Sequence, residues 1–302
     1  HTTTNGYVLA AVFVIGISAW FLMKKREEEF ARKSIKISAI FGLISLIILI
    51  WSGDGSATHV AKKQPMKLAA MEGLYKSHNG TAIVAFGVLN PGKKIEDYYD
   101  NPLKYQNEKP FWINISIPQG LSLLVNRKMD TYVPGVEDIL EGGYIYTDRN
   151  GNEKIAPPVQ ERMAMGKLAI EGLAEYRKAS KAGDEEGKEI AYKKLMDNFD
   201  HFGYGYIEKP ADIVPNIPLT FYAFHIMVIL GGFFLLFFAI TIYMEQKGII
   251  GKHKWYHWLA LASIPLVYIC SQAGWVVAEV GRQPWTIQDL LPVNAAVSGV
   301  ST

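Results

Sequence analysis

Glu279 and Arg282 stand where an apolar stretch of this chain ends, and their side chains need an explanation. They lie in the stretch GWVVAEVGRQPW, which runs from Gly274 to Trp285. A spacing of three residues lets them meet on a helix, so an ion pair beside a helix end is one interpretation. Ionisable groups in apolar helices are costly and often functional. The other interpretation is a carboxylate ligand for a metal, with Arg282 neutralising an anionic group such as a heme propionate.

A histidine and a methionine could form a second metal site. His1 precedes the first apolar segment, and Met227 lies near the start of the third. Imidazole and thioether are common axial ligands of low-spin heme iron, and the thioether raises the reduction potential. Taken singly, such a methionine more often packs in a core, and such a histidine more often lies in a loop or a tag. His225 faces elsewhere on the helix, about 200° around from Met227.

A lysine and a glutamate in the polar middle of the chain could bind and deprotonate a small ligand. The stretch QPMKLAAMEGLYK predicts a short helix with Pro65 near its start. Lys67 and Glu72 are five residues apart, which places them about 140° around that helix from each other. The spacing alone therefore favours a solvated amphipathic helix over a site for one small ligand.

Four apolar segments must position these side chains. They span residues 6–23, 35–51, 219–244 and 255–277. Each is close to the roughly 20 residues that a helix needs to cross a bilayer, and backbone inside lipid must bond to itself. A single short segment such as 35–51 could be a buried helix of a soluble protein, but four segments argue against that. We predict an all-α integral membrane protein with four transmembrane helices.

Short basic loops predict how these helices are oriented. Residues 24–36 and 245–254 carry Lys and Arg close to the helix ends, and such loops stay in the cytoplasm. The long polar segment then lies on the outer side. We expect two transmembrane helices in 1–51, an extracytoplasmic loop in 52–218, and two transmembrane helices with an outer tail in 219–302.

Local patterns add detail to this arrangement. Within the loop, residues 162–182 and 185–199 are expected to be helical, and residues 144–154 resemble a hairpin around Asn150 and Gly151. Tryptophans at the ends of the apolar segments predict an aromatic belt at the membrane surfaces. These are Trp51, Trp255, Trp258 and Trp285.

Composition excludes several classes of function. The formal net charge is +2 and charges of both signs are mixed along the loop, which argues against a nucleic-acid partner. Cys270 is the single cysteine, so neither an internal disulfide nor a cysteine-based metal site can form. The chain begins at His1 and not at a methionine, so we expect a fragment or a processed product.

Four stretches of the chain resemble the larger heme-bearing subunit of cytochrome bd-type quinol oxidases. HTTTNGYVLAAVFVIGISAW resembles the helix that begins with a heme-ligating histidine, and GDGSATHVAKKQPMKLAAMEG resembles the start of the outer quinol loop. FYAFHIMV resembles the helix with the heme-ligating methionine, and GWVVAEVGRQPW the signature near the second heme. With the predicted topology, the resemblance covers nearly the whole chain.

The resemblance implies a role for each heme-site residue. His1 and Met227 match the axial ligands of a low-spin heme b, and Glu279 matches the carboxylate ligand of a high-spin heme b. Trp275 matches an aromatic residue between hemes, and Arg282 a partner of a heme propionate. The implied cofactors of the complete enzyme are two hemes b and one heme d, whose ligand is not in this chain.

The resemblance also implies a reaction. Lys67 and Glu72 match the pair at the quinol site. The implied function is that of a terminal respiratory oxidase subunit that oxidises quinol at the outer face, reduces dioxygen to water and contributes to the proton-motive force. Its implied partners are ubiquinol or menaquinol, dioxygen, a second oxidase subunit and the lipid of the bacterial cytoplasmic membrane.

The chain departs from the family pattern at three points. The family's first four helices and its last helix have no counterpart here, so we expect this fragment alone to be inactive. His225 stands where many members have arginine, and it is a weaker, pH-dependent cation.

The alternative interpretation is a non-catalytic membrane receptor or scaffold with an extracytoplasmic sensing domain, which would keep the topology without heme.

Overall fold

The computed structural model describes residues 1–148 and 151–297. Four of its helices are long and apolar enough to cross a membrane, as predicted. The helices are α1 (Thr2–Met23), α2 (Glu28–Lys63), α3 (Pro65–Glu72), α4 (Ile95–Asp100), α5 (Pro102–Asn107), α6 (Gly120–Asn126), α7 (Val136–Glu141), α8 (Val159–Ala182), α9 (Glu185–Asp197), α10 (Ile217–Gln246) and α11 (Lys254–Val280).

Three short two-stranded sheets accompany the helices, and all are antiparallel. The strands are β1 (Ile83–Leu89) with β2 (Phe111–Ile117), β3 (Ile145–Thr147) with β4 (Glu153–Ile155), and β5 (Trp285–Ile287) with β6 (Leu291–Pro292). The pairing of β3 with β4 confirms the hairpin predicted in 144–154. Its turn residue Asn150 lies outside the described residues.

The chain divides into two compact units. The first contains residues 1–56 and 222–276. Its helices approach closely at small residues, as helices inside membranes do. A Cβ added to Gly16 of α1 would lie 2.6 Å from Ile264 Cδ1 of α11, and one added to Gly42 of α2 would collide with the ring of Phe238. Substitution at either glycine would therefore force helices of this unit apart.

Two hydrogen bonds between polar side chains link different helices of the first unit. The Asn5 amide donates to Ser271 Oγ at 2.8 Å, and the Thr241 and Tyr256 hydroxyls are 2.9 Å apart. Unbonded polar groups are expensive where no water can reach them. These hydrogen bonds therefore fix which faces of α1, α10 and α11 meet.

The second unit contains residues 57–221 and the chain from 277 onward. Helices α8 and α9 confirm the two helices predicted in the loop. Gly183 ends α8 in the left-handed conformation with φ 72°, which glycine adopts without strain. Asp184 then accepts a hydrogen bond from the backbone of Gly187 at 3.0 Å and so begins α9. The two helices form one hairpin on the core of this unit.

Two sequence expectations change in detail. The apolar segment ends at 51, but α2 continues as a polar helix to Lys63. Trp51, Trp255 and Trp258 are exposed as an aromatic belt requires, whereas Trp285 is only 3% exposed. The prediction for Trp285 is wrong because its ring packs against Tyr204, with centroids 5.0 Å apart. The domain limits at 51/52 and 218/219 stay predictions.

Candidate functional site

The end of α11 carries the first candidate group. Glu279 lies in the last turn, and Arg282 follows just beyond the helix. Arg282 Nη2 donates to Glu279 Oε2 at 2.6 Å, and both side chains stay partly exposed. The helix stops before Pro284, whose ring disfavours helical backbone in the preceding residue. The pair predicted from the spacing of three residues is therefore present.

Lys67 joins this group from another part of the chain. Its Nζ donates to the backbone oxygen of Ala278 at 3.3 Å. A Cβ added to Gly281 would lie 3.2 Å from Lys67 Cγ, so this glycine leaves room for the lysine stem. Burial lowers the pKa of Lys67, and the nearby charge of Arg282 lowers it further, against the raising effect of Glu279. Lys67 thus lies against the end of α11, which its spacing within α3 could not reveal.

Glu72 occupies a different environment from Lys67. Its side chain is 2% exposed, and neither carboxyl oxygen has a hydrogen-bond partner among residues 1–148 and 151–297. Burial raises its pKa to about 8, because removal from water penalises the charged form. A buried carboxyl without a partner is unusual and is often functional.

Helix α3 is largely enclosed by other residues. A Cβ added to Gly73, directly after Glu72, would lie 2.8 Å from the Phe111 ring and 3.1 Å from the Phe221 ring. Six of the eight residues of α3, from Met66 through Glu72 except Lys67, are buried. The expectation of a solvated amphipathic helix is therefore wrong. The structure does not bring Lys67 and Glu72 together, which agrees with their predicted separation around the helix.

His1 is anchored to the first unit through one ring nitrogen. Its Nδ1 lies 2.9 Å from Ser52 Oγ on α2. The Ser52 hydroxyl already donates its hydrogen to the backbone oxygen of Leu49 at 3.0 Å. With the Ser52 hydrogen on Leu49, Ser52 accepts from His1, and the His1 tautomer that fits this arrangement has its proton on Nδ1 and its lone pair on Nε2. Metal-ligating histidines are commonly fixed through the opposite ring nitrogen in this way.

Met227 is half-buried on α10. A Cβ added to Gly274 of α11 would lie 3.0 Å from its sulfur, so the sulfur lies against that glycine. Cys270 Sγ lies 3.5 Å from the backbone oxygen of Met227, as a weak donor. His1 and Met227 are therefore positioned by two different neighbouring helices.

Bare helix surface lies beside Met227. A Cβ added to Gly231, one turn after Met227, would meet no atom within 4 Å. No group of three or more His, Cys, Asp or Glu suited to a metal ion occurs in the described part of the chain. A metal here would need most of its ligands from a prosthetic group. An imidazole with a free lone pair and a thioether suit low-spin heme iron.

Trp275, which matches an aromatic residue between hemes, and His225, which stands where many family members have arginine, both lie in the first unit. Trp275 is exposed on α11, one helical turn before Glu279. His225 is buried on α10, and its ring meets Phe224 nearly edge-on at a centroid distance of 5.7 Å. The structure thus places Trp275 on the helix that ends with Glu279, but it does not test either role.

A buried polar network in the second unit escaped the sequence analysis. Arg162 donates to the backbone oxygens of Pro157 at 2.7 Å and Ile139 at 3.1 Å, and to the Tyr204 hydroxyl at 3.3 Å. Tyr204 donates in turn to Asp289 Oδ1 at 2.9 Å. The network lines a cavity of about 280 Å³. No local signal marks it, because its members are far apart in the sequence.

A histidine completes the lining of this cavity. Burial, together with the charge of Arg162, lowers the pKa of His201 to about 4. His201 is therefore neutral at physiological pH. Three cationic side chains, Lys62, Lys63 and Arg162, line the cavity, and the Arg162 guanidinium donates to the uncharged oxygens of Pro157, Ile139 and Tyr204.

Comparison with known proteins decides the family. The model of the family described as "Cytochrome bd terminal oxidase subunit I" matches residues 1–302. The chain belongs to this family. The resemblance drawn from the four sequence stretches is confirmed, and so is the all-α integral membrane fold.

Individual members show how far the similarity extends. The chain is 32% identical over 306 residues to "Cytochrome bd-II ubiquinol oxidase subunit 1" of Escherichia coli, covering 100% of this chain and 55% of that protein. It is 26% identical to "Cytochrome bd ubiquinol oxidase subunit 1" of Bacillus subtilis, covering 99% and 48%. The chain therefore spans about half the length of these curated relatives.

A solved structure shares the fold. The bd oxidase of Geobacillus thermodenitrificans matches with a TM-score of 0.57 and 20% identity, over 97% of this chain and 50% of that one. At this level of identity the match supports the fold alone.

Proposed function

We propose that this chain is part of the heme-bearing subunit of a terminal oxidase that oxidises quinol and reduces dioxygen to water. Family membership gives the reaction class. The observation that carries the proposal within the structure is Glu72, a buried carboxyl without a partner among the described residues. A non-catalytic receptor or scaffold would share the topology, but it would not account for the family match.

His1 and Met227 are proposed to hold a low-spin heme b. The free Nε2 of His1 and the sulfur of Met227 are the ligand atoms, and the hydrogen bond to Ser52 orients the imidazole. Glu279 is proposed to ligate a high-spin heme b, and Arg282 to neutralise a propionate. When bound, heme supplies the one-electron acceptor that a two-electron donor such as quinol needs.

Lys67 and Glu72 are proposed to act on quinol and its protons. Oxidation of a quinol releases two electrons and two protons. Lys67 can donate a hydrogen bond to a quinol oxygen, and ionised Glu72 can accept a proton. A pKa of about 8 suits this role, because proton transfer is efficient when the catalytic pKa is close to the working pH. Since the two side chains have different environments, we propose that they act on separate steps and do not clamp one ring.

The assembly around this chain is also a proposal. The basic segments 24–36 and 245–254 support a cytoplasmic position for these loops. Residues 52–218 then face the outside of a bacterial cytoplasmic membrane. The complete enzyme would contain two hemes b, one heme d and a second oxidase subunit. Ubiquinol and menaquinol remain equal candidates for the electron donor.

The decisive experiment replaces the proposed thioether ligand in the full-length oxidase. Met227→Leu keeps volume and apolar character, and such an exchange costs less than about 1.5 kcal/mol where packing is the only role. Under the proposal, loss of the sulfur converts a low-spin ferric heme to high spin, which electron paramagnetic resonance detects. The matched control is Met244→Leu, because Met244 is a buried methionine of the same helix. An unchanged low-spin signal in Met227→Leu would remove Met227 from the site.

A further inference from the structure

Lys67 and Arg282 bring two positive charges to one carboxylate at the end of α11. Lys67 Nζ donates to the Ala278 backbone oxygen at 3.3 Å, and a Cβ added to Gly281 would lie 3.2 Å from Lys67 Cγ. Arg282 Nη2 donates to Glu279 Oε2 at 2.6 Å. The charges of Arg282 and Glu279 both act on Lys67. These residues all belong to the second unit, and together they carry one positive charge in excess.

Both cations keep hydrogen-bond donors that the protein itself does not use. Arg282 Nε is buried and has no hydrogen-bond partner among residues 1–148 and 151–297. Lys67 Nζ carries three hydrogens, and the part of the chain that the structure describes supplies one acceptor, the Ala278 oxygen. A buried N–H group without an acceptor is costly. Unused donors on two neighbouring cations are suited to an anionic oxygen, because hydrogen bonds between charged groups are the strong ones.

A lysine that only caps a helix is the simpler account of Lys67. Lysine near a helix C-terminus commonly bonds to the last backbone oxygens, which explains the contact with Ala278. It does not explain the position beside Arg282, because the charge of Arg282 disfavours a charged lysine. Glu279 compensates one of the two cations, and a second anion would compensate the other.

We infer that Lys67 and Arg282 together bind one heme propionate, so that Lys67 tunes the reduction potential of the heme proposed for Glu279. The inference rests on the proposed function of Glu279. A carboxylate has two oxygens, which suit a guanidinium and a second donor. The three hydrogens of Lys67 Nζ allow a bond to a propionate beside the bond to Ala278, with one left for a quinol oxygen. A nearby positive charge stabilises the reduced heme, because it attracts the added electron.

Redox titration of the full-length oxidase, followed by the heme spectra, tests the inference. Lys67→Gln removes the charge but keeps an N–H donor for Ala278, and Lys67→Arg keeps the charge. In Lys67→Gln the reduction equilibrium of the high-spin heme b should fall about tenfold, which is about 59 mV for a one-electron couple. Lys67→Arg should keep a potential close to that of the wild type. Lys67→Met is a second neutral variant with the same expected shift, and it guards against poor assembly of Lys67→Gln.

The matched control is Lys109→Gln, which removes the charge of an exposed lysine in the same unit and should leave the potential unchanged. A wild-type potential in Lys67→Gln and Lys67→Met would overturn the inference, and a raised KM for quinol in these variants would then confine Lys67 to quinol binding. A potential lowered equally in Lys67→Gln and Lys67→Arg would show a structural effect on the helix end and would also overturn it.

Heme content separates this inference from the wider proposal. If only the inference fails, Glu279→Ala should still lose high-spin heme b while the Lys67 variants keep both their heme and its potential. If Glu279→Ala keeps its heme, the proposed ligand role of Glu279 fails, and the inference for Lys67 fails with it.

Discussion

Glu72→Gln is the substitution whose effect follows most directly from the structure. Glutamine keeps the shape of the side chain and removes its titration. Glu72 is 2% exposed, and burial raises its pKa from an ordinary 4.5 to about 8. At pH 7 only about one molecule in ten then carries the ionised carboxylate. The base form should increase about tenfold between pH 6 and pH 7.

The same shift sets the pH dependence of stability. Between pH 4.5 and about 8, Glu72 is protonated in the folded state and ionised in the unfolded state. The contribution of Glu72 to the free energy of unfolding is therefore fully present below pH 4.5 and is lost as pH rises to about 8. A difference of about 3.5 pH units corresponds to about 5 kcal/mol. Glu72→Gln should thus be more stable than the wild type at pH 9, with little difference at pH 5.

Infrared spectroscopy measures the protonation state directly. The wild-type oxidase should show a protonated carboxyl band at pH 7 that disappears as pH rises through 8, and Glu72→Gln should lack it. Quinol oxidation should rise with pH over the same range in the wild type and be slow and flat in the variant. The control Glu189→Gln changes an exposed carboxylate of α9. It should alter neither the carboxyl band nor the pH dependence of quinol oxidation. If the band at pH 7 survives in Glu72→Gln, the assignment of a neutral, buried Glu72 is refuted.

Three further predictions concern the remaining parts of the site. Glu279→Ala should lower the high-spin heme b content per protein in pyridine hemochrome assays. Unchanged heme content would show that Glu279 is not a heme ligand and only pairs with Arg282. Ser52→Ala should raise the midpoint potential of the low-spin heme, because a histidine that loses its hydrogen-bond acceptor is a weaker donor to ferric iron. Ser52→Thr should restore the potential, and equal potentials in all three proteins would contradict the tautomer assigned to His1. A maleimide that cannot cross the membrane should label Ser180→Cys in intact cells, and labelling only after lysis would reverse the topology.

The sequence predicted the elements that depend on local pattern. Length and apolarity determine α1, α2, α10 and α11, since each spans enough residues to cross the bilayer. The ion pair of Glu279 and Arg282 follows from a spacing of three residues. These features are encoded within one continuous segment of sequence each, so no knowledge of distant contacts was needed.

The environments of side chains depend on contacts between distant residues. Trp285 ends an apolar stretch, which fits both a membrane belt and a buried core, and the packing against Tyr204 decides for the core. Glu72 is 2% exposed, and Phe111 and Phe221, which are distant in sequence, pack against the next residue, Gly73. Lys67 meets α11 across 211 residues of sequence. Periodicity within α3 carries no information on any of these pairings.

The network around Arg162 has a consequence for how the loop can vary in length. Asp289 follows α11 closely in sequence, yet its side chain is held through Tyr204 by a guanidinium on α8. The backbone of Gly203 also donates to the Asp289 backbone oxygen at 2.9 Å. The segment after Pro284 is thus braced by the inserted loop as well as by its own helix. A homologue with a shorter loop that lacks α8 must brace this segment by other contacts, or leave the turn beside Glu279 less rigid.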